Sequence, residues 1–182
     1  MIDHARRVKL AFYLRQLSVG QFSNDEFEGA VMEEITDGWL PEQYHRSKCV
    51  PSEDPILLPM LELCWGLYDD TRNHKLTKSD ALSGDALKVV ARCILFLHSK
   101  LKYEWSYFDT NNPLLKFSLS DIIYSILTLG HHYRDKREAQ LVSYYEWQKL
   151  GDYDVWPFFR TADFKMQLNQ QPFLSGIRED RI

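Results

Sequence analysis

Apolar residues along this chain recur at spacings of three and four far more often than two, which is the period of α-helices and not of strands. From Asp3 to Leu17, the residues Ala5, Val8, Phe12 and Leu17 predict an apolar face. Arg6, Lys9 and Arg15 lie to its side, and Gly20 serves as the C-terminal cap. Ser23-Asn24-Asp25-Glu26 then reads as an S-x-x-E capping box, in which the two side chains satisfy amide groups left over at a helix start. It opens a second helix lined by Phe27, Val31 and Ile35 and closed by Gly38 and Pro41. The pattern fades from Leu40 to Asp54, which predicts a long loop. Asp54-Pro55 predicts the next helix start, since a proline in the first turn gives up an N–H that has no partner there. Leu57, Leu61, Trp65 and Tyr68 follow at helical spacing, and Pro59 requires the helix to start slightly later or to distort.

The strongest helical pattern runs from Leu82 to Leu101. Leu87, Val90, Ala91, Ile94 and Leu97 share one face, while Val89, Cys93 and Phe96 are apolar elsewhere, so this helix is expected to be central and surrounded by others. Asp109 to Pro113 has the composition of a turn. Ser118 or Ser120 then caps a helix carrying Ile122, Ile123, Ile126 and Leu127, which Gly130 ends or bends. A more polar helix continues through Val142 and Tyr145 to Leu150, with Gly151 as its stop, and Thr161 caps a short one containing Phe164 and Leu168. Extended structure is confined to isolated runs such as Trp156 to Phe159, and the chain is expected to loosen from Gln170. The 182 residues fit one domain of the usual ~150 residues. The expected fold is all-α: a single-domain bundle of five to seven helices around a buried central helix at about 82–101, spanning 1–175, with 176–182 as a loose tail.

Composition narrows the function classes. With 45% hydrophobic and 14% aromatic residues the chain can bury a core, which excludes disorder as its overall state. Eight Gly and seven Pro exclude a collagen-like or low-complexity chain. A net charge of −4 argues against a general phosphate-neutralising nucleic-acid binder. Cys49, Cys64 and Cys93 are odd in number and form no C-x-x-C, so neither a disulfide scaffold nor a zinc knuckle is expected. Cys64 and Cys93 sit in apolar patterns and read as core thiols. The most apolar stretch, Ile56 to Tyr68, is interrupted by Pro59, Glu62 and Gly66 and falls short of the ~20 residues of a membrane span. The first residues lack a signal-peptide apolar region, so a cytoplasmic location without a membrane partner is expected.

No phosphate loop, nucleophile elbow, H-E-x-x-H or EF-hand loop occurs. Three weaker features remain. His131, Asp135 and Glu138 fall on one face of a continuous helix, where an imidazole and two carboxylates suit a divalent metal, although Arg134, Lys136 and Arg137 crowd the same stretch. Glu42-x-x-His45 is a second metal-like fragment, in the long loop, and no metal or other cofactor is expected overall. Arg92 and His98, five residues apart on the central helix, form an R-x(4–6)-H pair that resembles the signature of the all-α HEPN RNases. That resemblance implies an RNase using this pair. A regular helix sets them about 240° apart, with Arg92 beside Lys88 and His98 near the helix C-terminus.

The third feature is charge segregation. Between Arg15 and Arg46 no Lys or Arg occurs, whereas Asp25, Glu26, Glu28, Glu33, Glu34, Asp37 and Glu42 do. Capping explains the first of these, but Glu33, Glu34 and Asp37 stand where the helix dipole opposes them. One reading is a solvated face neutralised by Arg6, Arg7, Lys9 and Arg15 of the neighbouring helix. The other is a surface for a basic protein partner. The expected function is a non-catalytic protein-binding module that uses Glu33, Glu34 and Asp37. Small acidic proteins that neutralise basic toxins share this general character. The alternative is a small all-α enzyme, either a metal-dependent hydrolase on His131 and Asp135 or an RNase on Arg92 and His98.

Overall fold

The capping box expected at Ser23 forms, and two starts not singled out in the sequence, at Asp3 and Ser83, are capped as well. Asp3 caps the first helix by accepting the Arg6 amide, and Ser23 and Glu26 form both halves of the capping box. Ser83 accepts the Ala86 amide at the start of the central helix. In the structure, a computed structural model, the described residues are 1–36, 54–105 and 119–170. Among them the chain folds into α1 (His4–Ser18), α2 (Asn24–Glu34), α3 (Leu57–Trp65), α4 (Gly84–His98), α5 (Leu119–Leu127), α6 (His131–Gln148) and α7 (Thr161–Gln170). Two short 3₁₀ turns, Lys78–Asp80 and Tyr153–Val155, complete the helical content. The β pairing among the described residues is a single bridge between Ser23 and Lys75, and the run from Trp156 to Phe159 forms turns and bends, not a strand. The turn at Asp109–Pro113 and the tail at 176–182 lie outside the described residues. No helix among the described residues is long and apolar enough to cross a membrane.

The core lies where α1 crosses α4 and α2, with α7 against α4. Leu10, Leu14 and Leu17 of α1 meet Phe27 and Val31 of α2, Leu57, Met60, Leu61 and Cys64 of α3, and Cys93, Leu95 and Leu97 of α4, all essentially removed from solvent. Burying each such side chain contributes roughly 1.5–3 kcal/mol, so this cluster and not helix propensity holds the short helices in place. The α4 helix is central as expected, but its burial is graded. Cys93 to Leu97 are buried over the whole circumference, whereas Leu87, expected on the inner face, is 41% exposed.

The inner face of α1 differs from the expected one. Ala5 and Phe12 face solvent, and the buried stripe is Arg7, Leu10, Ala11, Leu14, Leu17 and Ser18. Arg7 causes the difference, because a guanidinium on the core stripe breaks the apolar pattern. It is fully buried, and its Nε and Nη2 donate to the two oxygens of Asp54 at 2.6 and 2.9 Å, while Nη1 donates to the Leu101 carbonyl at 2.8 Å. Asp54 also accepts the Asp3 amide, and the Phe96 ring lies 5.3 Å from the guanidinium carbon. Arg7 therefore does not neutralise the acidic second helix. It ties the N-terminus, the entry to α3 and the exit from α4 into one buried knot. Asp54 lies three residues ahead of α3, which begins at Leu57 and so keeps Pro59 in its first turn.

Candidate functional site

The acidic helix α2 turns much of its charge back on its own chain. Glu34 pairs with Lys9 of α1 at 2.6 Å, and that contact, with a hydrogen bond from the Tyr13 hydroxyl, holds its carboxyl below the usual range. Burial, followed by the Glu34 hydrogen bond, pushes the Tyr13 phenol up to about 12. Glu28 accepts from the Tyr68 hydroxyl at 2.8 Å. Glu26 is engaged by the capping box and lies 3.9 Å from Lys75. Glu33 is exposed and has no ion pair among the described residues, and Asp37 lies outside them. Of the three residues singled out for a basic partner, one is thus neutralised by α1, as the solvated-face reading has it.

The structure does not bring Arg92 and His98 together. Arg92 lines a cavity beside α3, where its Nε donates to the Trp156 carbonyl at 2.6 Å. His98 sits at the end of α4 near His4, and desolvation, then the His4 charge, lower its pKa. On α6, His131 Nδ1 lies 2.9 Å from Arg134, while Asp135 and Glu138 are exposed. No three His, Cys, Asp or Glu side chains among the described residues are grouped so as to hold a metal ion. Glu42, His45 and Cys49 fall outside those residues. Cys64 and Cys93 are buried, and burial raises both thiols, Cys93 to about 12. At neutral pH neither supplies a thiolate nucleophile.

The most conspicuous surface is one that the sequence reading left without a role. The α5 and α6 helices form an antiparallel hairpin. Its turn is built on Leu129 and Gly130, both at positive φ (50° and 85°), and closed by the Gly130 amide donating to the Ser125 carbonyl at 2.7 Å. Asp121 clamps the two helices, with one oxygen 3.0 Å from His132 Nε2 and the other bonded to Lys136. The apolar side chains of α5 point into solvent: Ile122 is 48% exposed, Ile123 56%, Tyr124 58%, Ile126 71% and Leu127 72%, with Leu129 at 91%. Ile122, Ser125, Ile126 and Tyr133 line a shallow apolar groove between the helices.

The sequence held a signal for this. Between Ile122 and Leu129 six of eight residues are large and apolar, but from His131 to Glu138 the facing helix offers Tyr133 alone. One helix carries more apolar surface than its hairpin partner can cover.

Comparison with known proteins finds no matching family model, no similar curated protein and no similar solved structure.

Proposed function

We propose that this chain is a non-catalytic protein-binding module whose binding face is the α5–α6 hairpin, and that the occupant of that face is a second copy of the chain. The observation that carries the reading is the apolar ridge from Ile122 to Leu129. Six large side chains, each about half exposed or more, offer on the order of 100 Å² apiece. Together they make about 600 Å², at the upper end of what a monomer ordinarily leaves in water and most of the ~800 Å² per partner of a standard interface.

Charge favours self-pairing. Asp121, Asp135, Glu138 and Glu146 nearly balance Arg134, Lys136 and Arg137 on the hairpin, so two copies meet without a strong one-signed field between them. Two hairpins facing each other about a two-fold axis make a four-helix arrangement that buries the same ridge on both. A basic partner on α2 has less support, because Lys9 already occupies Glu34.

The test is sedimentation equilibrium of the full chain, wild type beside Ile126→Glu/Leu127→Glu. Both side chains are more than two-thirds exposed in the single chain, so the variant is expected to keep the wild-type circular dichroism. The expected result is a wild-type dimer at micromolar concentration and a monomeric variant. A monomeric wild type, or a variant that dimerises as well as wild type, overturns the reading.

A further inference from the structure

A cavity of about 340 Å³ opens between α3, α4 and the Tyr153–Trp156 turn, with Trp147 of α6 on its wall. Trp147 lies near the end of α6 remote from the hairpin turn, roughly 25 Å along the helix, so the cavity is separate from the apolar ridge. Its size falls in the range of small-ligand sites. Tyr103, Tyr153 and Trp156 add three more aromatic walls, and Arg92 of α4 is the cation among them.

These walls are fixed before any ligand arrives. Trp156 donates its indole N–H to the Tyr103 hydroxyl at 3.2 Å and accepts Arg92 Nε on its carbonyl at 2.6 Å. The Trp147 ring is braced by Trp105 at 5.1 Å, by Tyr144 at 6.0 Å and by Tyr153 at 5.5 Å. Burial is the main cause that raises the Tyr153 phenol to about 12, so this wall stays neutral through the physiological range. The Arg92 guanidinium is half-buried and spends only Nε on the protein, on a neutral carbonyl. Among the described residues its two terminal nitrogens make no hydrogen bond, and no carboxylate reaches ion-pair distance of it. Glu62 of α3 also lines the cavity, but it is already engaged within the protein, so Arg92 is the group that a ligand must meet.

Charge and geometry select the ligand class. With Nε occupied, the open edge of the guanidinium is the end-on one, with two terminal nitrogens side by side in one plane. That edge matches the two oxygens of a single carboxylate. A half-desolvated cation held by a neutral carbonyl lacks a counter-charge, which a neutral ring would not supply and an ammonium group would oppose. A phosphate brings more charge and more oxygens than two prongs can meet. The indole and phenol walls suit the flat faces of a ring. The ring edge, whose hydrogens carry the positive end of the aromatic quadrupole, tolerates the α3 side, Glu62 included. We propose that this cavity binds a small aromatic carboxylic acid in its ionised form, its carboxylate paired end-on with Arg92 and its ring held among Trp147, Tyr153 and Trp156.

The test is saturation-transfer NMR on the full chain with benzoate and indoleacetate beside benzamide and indoleacetamide, amides that keep the shape and lose the charge. Phenethylamine stands for a cation, acetate for an anion without a ring, and N-acetylglycyl-phenylalanine for the C-terminus of another protein. At least one of the two acids is expected to bind tenfold or more tightly than its amide and than each of these three. Arg92→Met is expected to erase the preference for acid over amide while leaving the amide's own affinity unchanged. A merely structural loss at the Trp156 carbonyl would instead weaken both. Val89→Phe narrows the cavity from α4 without removing a hydrogen bond, and it should weaken acid and amide alike at an unchanged melting temperature. No binding of either acid by wild type, an amide or peptide that binds as tightly as the acids, an acid preference that survives in Arg92→Met, or full acid binding by folded Val89→Phe would each overturn the assignment. Ile126→Glu/Leu127→Glu, on the hairpin, should bind the acids as wild type whether or not the chain dimerises, and a loss there would place the ligand on the ridge and overturn the assignment too.

Discussion

Two apolar helices of this chain meet opposite fates. In α4 the run from Cys93 to Leu97 is at most 7% exposed, whereas in α5 the run from Ile122 to Leu127 includes five large side chains between 48% and 72% exposed. Their sequences alone hardly distinguish them. What differs is the supply of facing surface. The α4 helix crosses α1 and α7, and aromatic residues beyond its end close over it, with Phe96 against Phe158 at 5.0 Å and Tyr103 at 6.2 Å. The α5 helix packs against α6, whose first two turns are polar. Burial is thus a property of pairs of elements, and an apolar helix records only a demand for cover.

The contrast is sharpest in its energetic consequences. Arg7→Ala is expected to be the most damaging single change, costing about 3–5 kcal/mol, because it leaves the fully buried Asp54 carboxylate without its counter-charge. Leu95→Ala should follow at about 2–5 kcal/mol, through the cavity it leaves among completely buried neighbours. Ile126→Ala, measured well below any dimer dissociation constant, should stay within about 0.5 kcal/mol of wild type. Urea melts of the three variants check the ranking. A loss at Ile126 in the monomer equal to that at Leu95 would show that α5 is covered and would remove the comparison itself.

Helix starts offer a finer version of the same contrast, because α2 caps itself and α6 does not. The Ser23 hydroxyl accepts the Glu26 amide at 3.3 Å, and the Glu26 carboxylate returns to the Ser23 amide at 2.8 Å. Gly130 brings no side chain to the start of α6. Ser23→Ala should therefore cost about 1 kcal/mol in the same melts, and unchanged stability would mean that the bridge to Lys75 suffices to hold the turn.

These elements also mark what was legible in advance. The capping box, the central helix and the all-α class follow from local chemistry, so Ser23 and the α4 pattern could be read directly. The inner face of α1 could not, because Arg7 occupies a core position only by virtue of Asp54, 47 residues away. The aromatic cavity was hidden for the same reason. Arg92 stood out in the sequence for its spacing to His98, whereas its structural neighbours are Trp156 and Glu62, and no periodic pattern joins those positions. The acidic run was visible, but its partial neutralisation by Lys9 and Tyr13 depends on how α1 lies against α2.

The smallest expected effect lies at the end of α4, where the core gives way to solvent. Desolvation is the main cause holding the His98 imidazole below its ordinary 6.5, and the nearby His4 charge adds to it. The folded chain therefore takes this proton less readily than the unfolded chain does. The neutral form is favoured in the native state, so its contribution is complete above about 6.5 and is lost as pH falls through the lower folded value. Stability should then decline modestly from pH 7 towards pH 5. Carboxylates such as Glu26 and Glu34, lowered by their donors, add their own loss only below about 4.5. His98→Gln carries no titrating group and should flatten the upper part of the decline while leaving the acid limb in place. Urea melts at half-unit intervals read the difference, and an unaltered slope between pH 7 and pH 5 in the variant would assign that slope to other groups.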